Sequence, residues 1–394
     1  MEQPLAGIRV LDLTVAYLGP YATQLLAYMG AEVIHVESPR GELSRGIDAR
    51  GGTSHLFALL NNGKKSITLD LRAREGQEIF RQLLERTDMF VQNYAYGIVE
   101  GFGFSWETLR EINPRLIYAT ATGYGSYGPY RDWSSVDIAV QAKSGLMSVN
   151  GYPDRPPCRF GAAVTDPFAG LHLLTGALAA LYQRERTGRG RRIEVSLHDT
   201  AAGSLAINLA AYYASSRVPE RQGSGQSSGL APMGVFETSD GYCALTAIQD
   251  NWWNSLLEIL GRAELKSDPR LATPSARREN KEWVDEIVNS WTRTRTKHEV
   301  EQELNKHGIP AGAVLDLRDI LSDPQYAERE TFVETEHPIL GRLKVFGNFI
   351  KFSDSPSPRL SPAPALGEDN DSVYIDLLGY TSEAVAKLKA NGTI

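Results

Sequence analysis

Cysteine is nearly absent from this chain: Cys158 and Cys243 are the only two in 394 residues. They cannot build a disulfide framework, and no C-x-x-C pair is present for zinc or thiol redox work. Such sparing use fits a reducing, cytoplasmic setting. No His/Glu pair stands at H-E-x-x-H spacing, so no metal is expected. No G-x-S-x-G elbow stands between a strand and a helix, and a Ser-His-Asp arrangement is not evident. Positive charge is also short, with 41 Lys and Arg against 48 Asp and Glu, a net charge of −7. A general nucleic-acid binder is usually basic, so that class is set aside. The longest apolar runs, near 171–182 and 205–214, are too short to span a bilayer and read as core helices. Met1 to Ala6 carries no signal-peptide pattern. No membrane partner is expected.

What is present is an ordinary globular composition, 42% hydrophobic and 23% charged. The length favours two domains. A strand over 8–13, a helix over 21–29 closed by Gly30, and a strand over 32–37 form a β-α-β unit. This unit lacks G-x-G-x-x-G, which leaves a dinucleotide site unsupported on it. Strands at 66–71, 89–93 and 116–121 alternate with helices at 74–86 and 106–112. That alternation predicts a Rossmann-like, doubly wound parallel sheet of the α/β class. Ligands of such sheets lie beyond the carboxyl ends of the strands, where Thr14, Glu37 and Asn93 fall. Further on, helices are expected at 137–147 and 200–214, with a strand at 192–197 between them. A hairpin at 235–248, with helices at 252–260, 279–291 and 297–307, reads as a small α+β domain. Strands near 343–346 and 348–352 and a last helix at 371–378 complete the reading. The boundaries are 1–215 for the first part of the large domain, 216–229 for a glycine-rich linker, 230–325 for the small domain, and 326–394 for the return to the large one.

The segment Val164–Thr165–Asp166–Pro167 opens a small-residue apolar helix. Pro167 suits the first helical position, which puts Asp166 at the N-cap. Free N–H groups and the helix dipole there favour an ionised carboxylate. Such an anion is either a structural cap or a nucleophile, and the local motif allows both. His172, six residues on, reads as a core histidine. Arg40, Arg45, Lys64, Lys65 and Arg72 gather near the strand ends, where they could hold phosphates or simply face solvent. The loop from Gly223 to Gly229, with Gly225 inside it, could close over a reactive intermediate or serve as a plain linker.

Taken in order, several motifs resemble the class III coenzyme A transferases. They are Pro4–Leu13, Gly19–Pro20, Gly30–Ile34, Asn61–Leu71, Gly123–Tyr124–Gly125, Gly128–Pro129, Thr187–Gly190, Ala231–Pro232 and Gly308–Gly312. The resemblance implies an enzyme that moves coenzyme A from an acyl-CoA to a small carboxylic acid. Coenzyme A is then a substrate, with no permanently bound cofactor. Asp166 matches the family's catalytic aspartate, which forms a mixed anhydride and then an aspartyl-CoA thioester. The family's CoA contacts fall on Tyr17, Leu18, Leu69, Arg72, Asn93 and Tyr94. A further basic contact falls on Gly101, and Arg40, Arg72 or Arg131 is expected to compensate. The glycine loop of the family corresponds to the Gly223 and Gly225 region. An interlocked homodimer is also implied. The formyl-CoA and oxalate branch carries His and Gln where this chain has Val15 and Tyr17, which argues against an oxalate acceptor. Related racemases carry His before the acid at Asp137, where this chain has Val136, which argues against a racemase. The alternatives are an acyl-CoA racemase, an isomerase moving CoA within one molecule, and a non-catalytic acyl-CoA-binding protein.

Overall fold

A computed structural model describes residues 2–225 and 229–394. The chain divides into two compact units, one of residues 1–143, 162–203 and 324–394, the other of 144–161 and 204–323. Residues 144–161 and 204–215 thus cluster with the second unit, not with the first as the sequence reading has it.

The first unit is built on six parallel strands: β1 (Arg9–Leu13), β2 (Glu32–Glu37), β3 (Lys65–Thr68), β4 (Met89–Gln92), β5 (Ile117–Thr122) and β6 (Arg191–Ser196). Their order is β3-β2-β1-β4-β5-β6. Leu11 of β1 lies between Ile34 of β2 and Phe90 of β4. Near-continuous burial of β1 to β5 is what a sheet covered on both faces requires, while the edge strand β6 is half-exposed. The order reverses between β1 and β4, and their carboxyl ends open a crevice there. The first helix, Leu18–Tyr28, begins three residues earlier than expected. Pro20 fits inside its first turn because N–H groups there have no intrahelical acceptor. The helix Arg74–Glu85 buries Ile79, Phe80, Leu83 and Leu84, as its periodicity predicts.

Several expectations are corrected. The helix over 137–147 ends at Lys143, and Gly145 turns the chain with φ +92° before a short helix, Leu146–Val149. The helix over 200–214 is two helices, Leu197–Gly203 and Ala206–Ser215. Residues 348–352 form no strand, because Asn348 Oδ1 accepts the Ile350 N–H and turns the chain. The partner of Gly341–Phe346 is Phe332–His337, antiparallel to it. A helix, Ser382–Ala390, follows the wide-turned Ser372–Leu377. The two apolar runs are not fully sheathed. Tyr182 is 69% and Tyr213 76% exposed. The long helix Thr165–Thr187 buries only one stripe, Ala169, Gly170, Leu173, Leu174, Ala177 and Ala180. His172 lies on its open side, with Nδ1 at 2.8 Å from Phe168 O, and is not a core residue.

The second unit carries a three-stranded antiparallel sheet, β7 (Met233–Thr238), β8 (Gly241–Thr246) and β9 (Ala311–Ala313). Helices Asp250–Ile259, Lys281–Thr292 and Lys297–Lys306 bring Trp253, Leu256, Val288 and Leu304 into its core.

Candidate active site

The long helix opens at Thr165, and Val164, already helical in conformation, holds the position before it. Asp166 is therefore inside the first turn, not the N-cap. Another carboxylate does the capping. Asp137 Oδ1 accepts the Thr165 N–H at 3.2 Å and its hydroxyl at 2.8 Å. Asp137 Oδ2 accepts Gln141 Nε2 at 2.8 Å. This arrangement frees the Asp166 carboxylate from structural duty. Burial pushes that carboxyl up to about 6, and the Asp137 charge pushes the same way. Its own backbone N–H and that of Leu18 pull it down, but they lose. The helix start alone was expected to favour the anion, and desolvation with a like charge reverses the net shift.

Leu18 reaches Asp166 because Gly170 lets the first helix approach the long one. A Cβ at Gly170 would lie 2.9 Å from Leu18 O. Tyr17 packs edge-to-face on Tyr21, ring centres 6.1 Å apart. Burial raises the Tyr17 phenol, and the charges of Tyr21 and Asp166 add to the effect. Beyond the ends of β4 and β5 lies a cleft of about 340 Å³ lined by Asn93, Tyr94, Tyr96, Arg131, Trp133 and Ser135, among others. Gly123 makes room for Ser135, whose hydroxyl a Cβ there would overlap. Ser135 stands two residues before Asp137, so one chain segment serves both the cleft and the helix mouth.

The description "CoA-transferase family III" fits residues 5–370 of this chain. The chain belongs to CoA-transferase family III. It is 38% identical to a formyl-CoA:oxalate CoA-transferase of Streptomyces avermitilis, with all of both chains covered. It is 34% identical to a succinyl-CoA–D-citramalate CoA-transferase of Chloroflexus aurantiacus, covering 100% of this chain and 98% of that one. The crystal structure of a CAIB/BAIF family protein from Brucella suis superposes with a TM-score of 0.85 at 34% identity, over 96% of this chain and 100% of that one. The chain is thus a family III CoA-transferase by kinship, and CoA thioesters are the substrates of that family.

The expected CoA contacts of the family fall in different settings. Asn93, Tyr94 and Arg131 meet in the cleft. Asn93 spends its side chain on Val15, accepting its N–H at 2.8 Å and donating to its carbonyl at 2.9 Å. The Tyr94 N–H donates to Gln92 Oε1 at 2.7 Å. Arg131 lies over the Tyr96 ring and 3.2 Å from Asp132. Tyr17 and Leu18 stand at Asp166, not among the cleft's lining. Leu69 is buried, and its N–H donates to Glu37 O. Arg40 and Arg72 are exposed, just past β2 and β3. Gly223 and Gly225 lie in the second unit. The Gly223 N–H donates to Gly151 O at 3.0 Å, and that of Gly225 to Gln222 O at 3.0 Å. Residues 226–228 of that loop lie outside the described residues.

Two of the five basic residues gathered near the strand ends, Lys64 and Arg45, turn inward, while Lys65 stays half-exposed. Lys64 is wholly buried and donates to Asp12 Oδ2 at 2.9 Å, Asn61 Oδ1 at 2.7 Å and Pro20 O at 3.1 Å. Arg45 grips Glu37 with two bonds of 2.6 and 2.7 Å. Lys65 pairs with Glu32. Sequence reasoning also missed the cap formed by Asp137 and the acceptor Glu42, since neither pairing has a local signature. Among the described residues no cluster of His, Cys, Asp or Glu could hold a metal.

Proposed function

We propose that this chain transfers coenzyme A between carboxylic acids with Asp166 as nucleophile. The observation that carries this reading is a carboxylate at the mouth of the long helix whose capping is done by Asp137 instead, raised to about 6 by burial and the Asp137 charge. At pH 7.5 such a group is still mostly ionised, yet more basic than an ordinary aspartate, which favours attack. One Asp166 oxygen bonds to the thioester carbonyl carbon, the C–S bond breaks, and CoA thiolate leaves. The thiolate then attacks the aspartyl carbonyl of the mixed anhydride and releases the donor acid as carboxylate. The acceptor carboxylate attacks the resulting aspartyl-CoA thioester and expels the thiolate again. The thiolate takes the acceptor's acyl carbon, and Asp166 returns as a carboxylate.

Arg40, Arg72 and Arg131 are the basic groups we assign to the phosphates, because Arg45 and Lys64 are spent inside the fold and Lys65 is paired with Glu32. Tyr17 stands beside the nucleophile, and Val15 and Tyr17 replace the His and Gln of the oxalate branch, so we place the acceptor outside oxalate. We read the working form as a homodimer, on the strength of the uncovered apolar side of the long helix. Light scattering should then return twice the chain's 43.4 kDa, and a single-chain mass would remove that reading. Among the described residues no helix is long and apolar enough to cross a membrane.

Incubation with succinyl-CoA or formyl-CoA and hydroxylamine should leave a hydroxamate on Asp166, found by peptide mass. Turnover in a screen of these donors against oxalate and citramalate, with no label at Asp166, would overturn the nucleophile. Tight binding of CoA with no exchange would leave only a binding protein.

A further inference from the structure

The turn that carries Leu18 to Asp166 contains a strained residue. Ala16 has φ +65°, a left-handed conformation that costs an L-residue with a Cβ roughly 1–2 kcal/mol. Such a conformation persists only where the surroundings over-determine it. Here three side chains do so, one from β1 and two from loops, each taking one residue of the turn. Asp12 Oδ1 accepts the Thr14 N–H at 3.1 Å. Asn93 takes both backbone groups of Val15. Glu42 Oε2 accepts the Ala16 N–H at 3.1 Å. Glu42 is buried, and it is itself held from below. Its own N–H donates to Glu37 Oε2 at 3.2 Å, and Glu37 is gripped by Arg45 and by Ser66 Oγ. After Ala16 come Tyr17, beside Asp166, and Leu18, which packs on the helix of Asp166 at Gly170 and whose N–H favours the charged form of that carboxylate.

We propose that Glu42 is a positioning residue for the transferase reaction: it holds Ala16 in the left-handed conformation and so aims the Leu18 N–H at Asp166. This rests on Asp166 being the nucleophile. Glu42 also has a plain structural task, since it caps the short turn Leu43–Gly46 by accepting the Ser44 N–H at 2.9 Å and the Ser44 hydroxyl. The test must separate the two. Glycine adopts positive φ at no steric cost. A glycine at position 16 therefore replaces the clamp on the turn and does nothing for the cap of 43–46.

The experiment measures kcat and the acid limb of kcat/KM with succinyl-CoA, or with formyl-CoA if that is the faster donor. Glu42→Ala should lower kcat about 10- to 100-fold. It should also move the acid limb to higher pH, because Asp166 loses the N–H that favours its charged form. Asp137 and Tyr17 face Asp166 as well and are unchanged in this variant. Removing the Glu42 charge would by itself move the limb the other way, so the direction is diagnostic. Adding Ala16→Gly to Glu42→Ala should restore most of kcat and return the limb. Glu42→Gln keeps an acceptor for the Ala16 N–H and should stay within about threefold of the parent. If Glu42→Ala does not fold, Glu42→Asp withdraws the carboxylate by one methylene, and the same limb shift and glycine rescue are required of it. A folded variant with an unmoved limb, or one that Ala16→Gly does not rescue, overturns the proposal. Full turnover by Asp166→Asn would overturn the nucleophile instead; an inactive Asp166→Asn beside an unaffected Glu42→Ala removes only the role of Glu42.

Discussion

Asp12, fully buried, and Asp166, partly buried, are both carboxylates of the first unit, and their surroundings drive them in opposite directions. Burial alone would raise each of them. At Asp12, Lys64 and His35 reverse that and hold the carboxyl far below its ordinary range. Thr14 and Thr23 hydroxyls donate to it at 2.5 and 2.7 Å. At Asp166 no cation stands near enough to compensate, and Asp137 adds a like charge, so the carboxyl rises to about 6. Desolvation sets how much is at stake, and the partner decides the sign. One group is thereby fixed as a permanent anion that ties β1 to the first helix. The other is left poised for chemistry, which is the pattern expected where binding energy is invested in a reactive group.

The contrast is open to breaking. Asp166→Asn should reduce turnover roughly 1,000-fold or more, measured as thiol exchange in steady state. On the structural side, Lys64→Met leaves Asp12 charged and buried, without its lysine and held only by His35 and the two threonine hydroxyls. Denaturant unfolding should show a loss of about 3–5 kcal/mol, and a loss under 1 would mean the pair is not the anchor described.

The next effect has the opposite sign. A carboxyl raised from 3.8 to about 6 in the folded state is ionised sooner in the unfolded chain. The folded state is therefore penalised above pH 6 by up to about 3 kcal/mol, and relieved as the pH falls from 6 toward 4. Asp166→Asn should thus melt higher than the parent at pH 7.5, with the gap closing at pH 4. Asp12 works the other way: its contribution is complete above its unfolded value of 3.8 and is lost as the pH falls below it. The acid limb of kcat/KM should lie near pH 6, with activity lost below it; a limb near 4 would mean that burial does not govern Asp166. The smallest effect is that of Asp137→Asn. It keeps an acceptor for Thr165 and removes the like charge, so the limb should move to lower pH by a few tenths.

Much of the first unit was legible because its signals are local. Alternating apolar periods marked the strands and the helix Arg74–Glu85, and Gly30 marked the end of the first helix. What failed was non-local. Lys64 and Arg45 look like solvent-facing phosphate ligands in a linear reading. Nothing local shows that Lys64 pairs with Asp12, 52 positions earlier, or Arg45 with Glu37, 8 positions earlier across a turn. The cap on Thr165 comes from Asp137, 28 positions earlier, so the sequence could name the nucleophile's helix but not what frees it. Gly123, Gly125 and Gly128 have the spacing of a dinucleotide fingerprint and follow β5, yet a loop runs on from them to Val136 instead of a helix. The uncovered side of the long helix was also illegible, since a run of apolar residues does not record which of them the rest of the chain covers.

The edge of the sheet has a consequence for how the protein is made. β3 is an outer strand, and the segment that covers it comes from the far end of the sequence. Asp369 accepts the Ser66 N–H, Asn370 that of Thr68, and the Tyr374 hydroxyl donates to Thr68 O. The Asp70 N–H donates to Thr393 O. On the ribosome, the strand at 65–68 therefore waits for some 300 further residues before its rim is sealed. Throughout that interval a bare strand edge is available to neighbouring nascent chains. Slow closure of this seam, more than any weakness of the finished fold, is where expression of this protein should be sensitive to temperature and to chaperone supply.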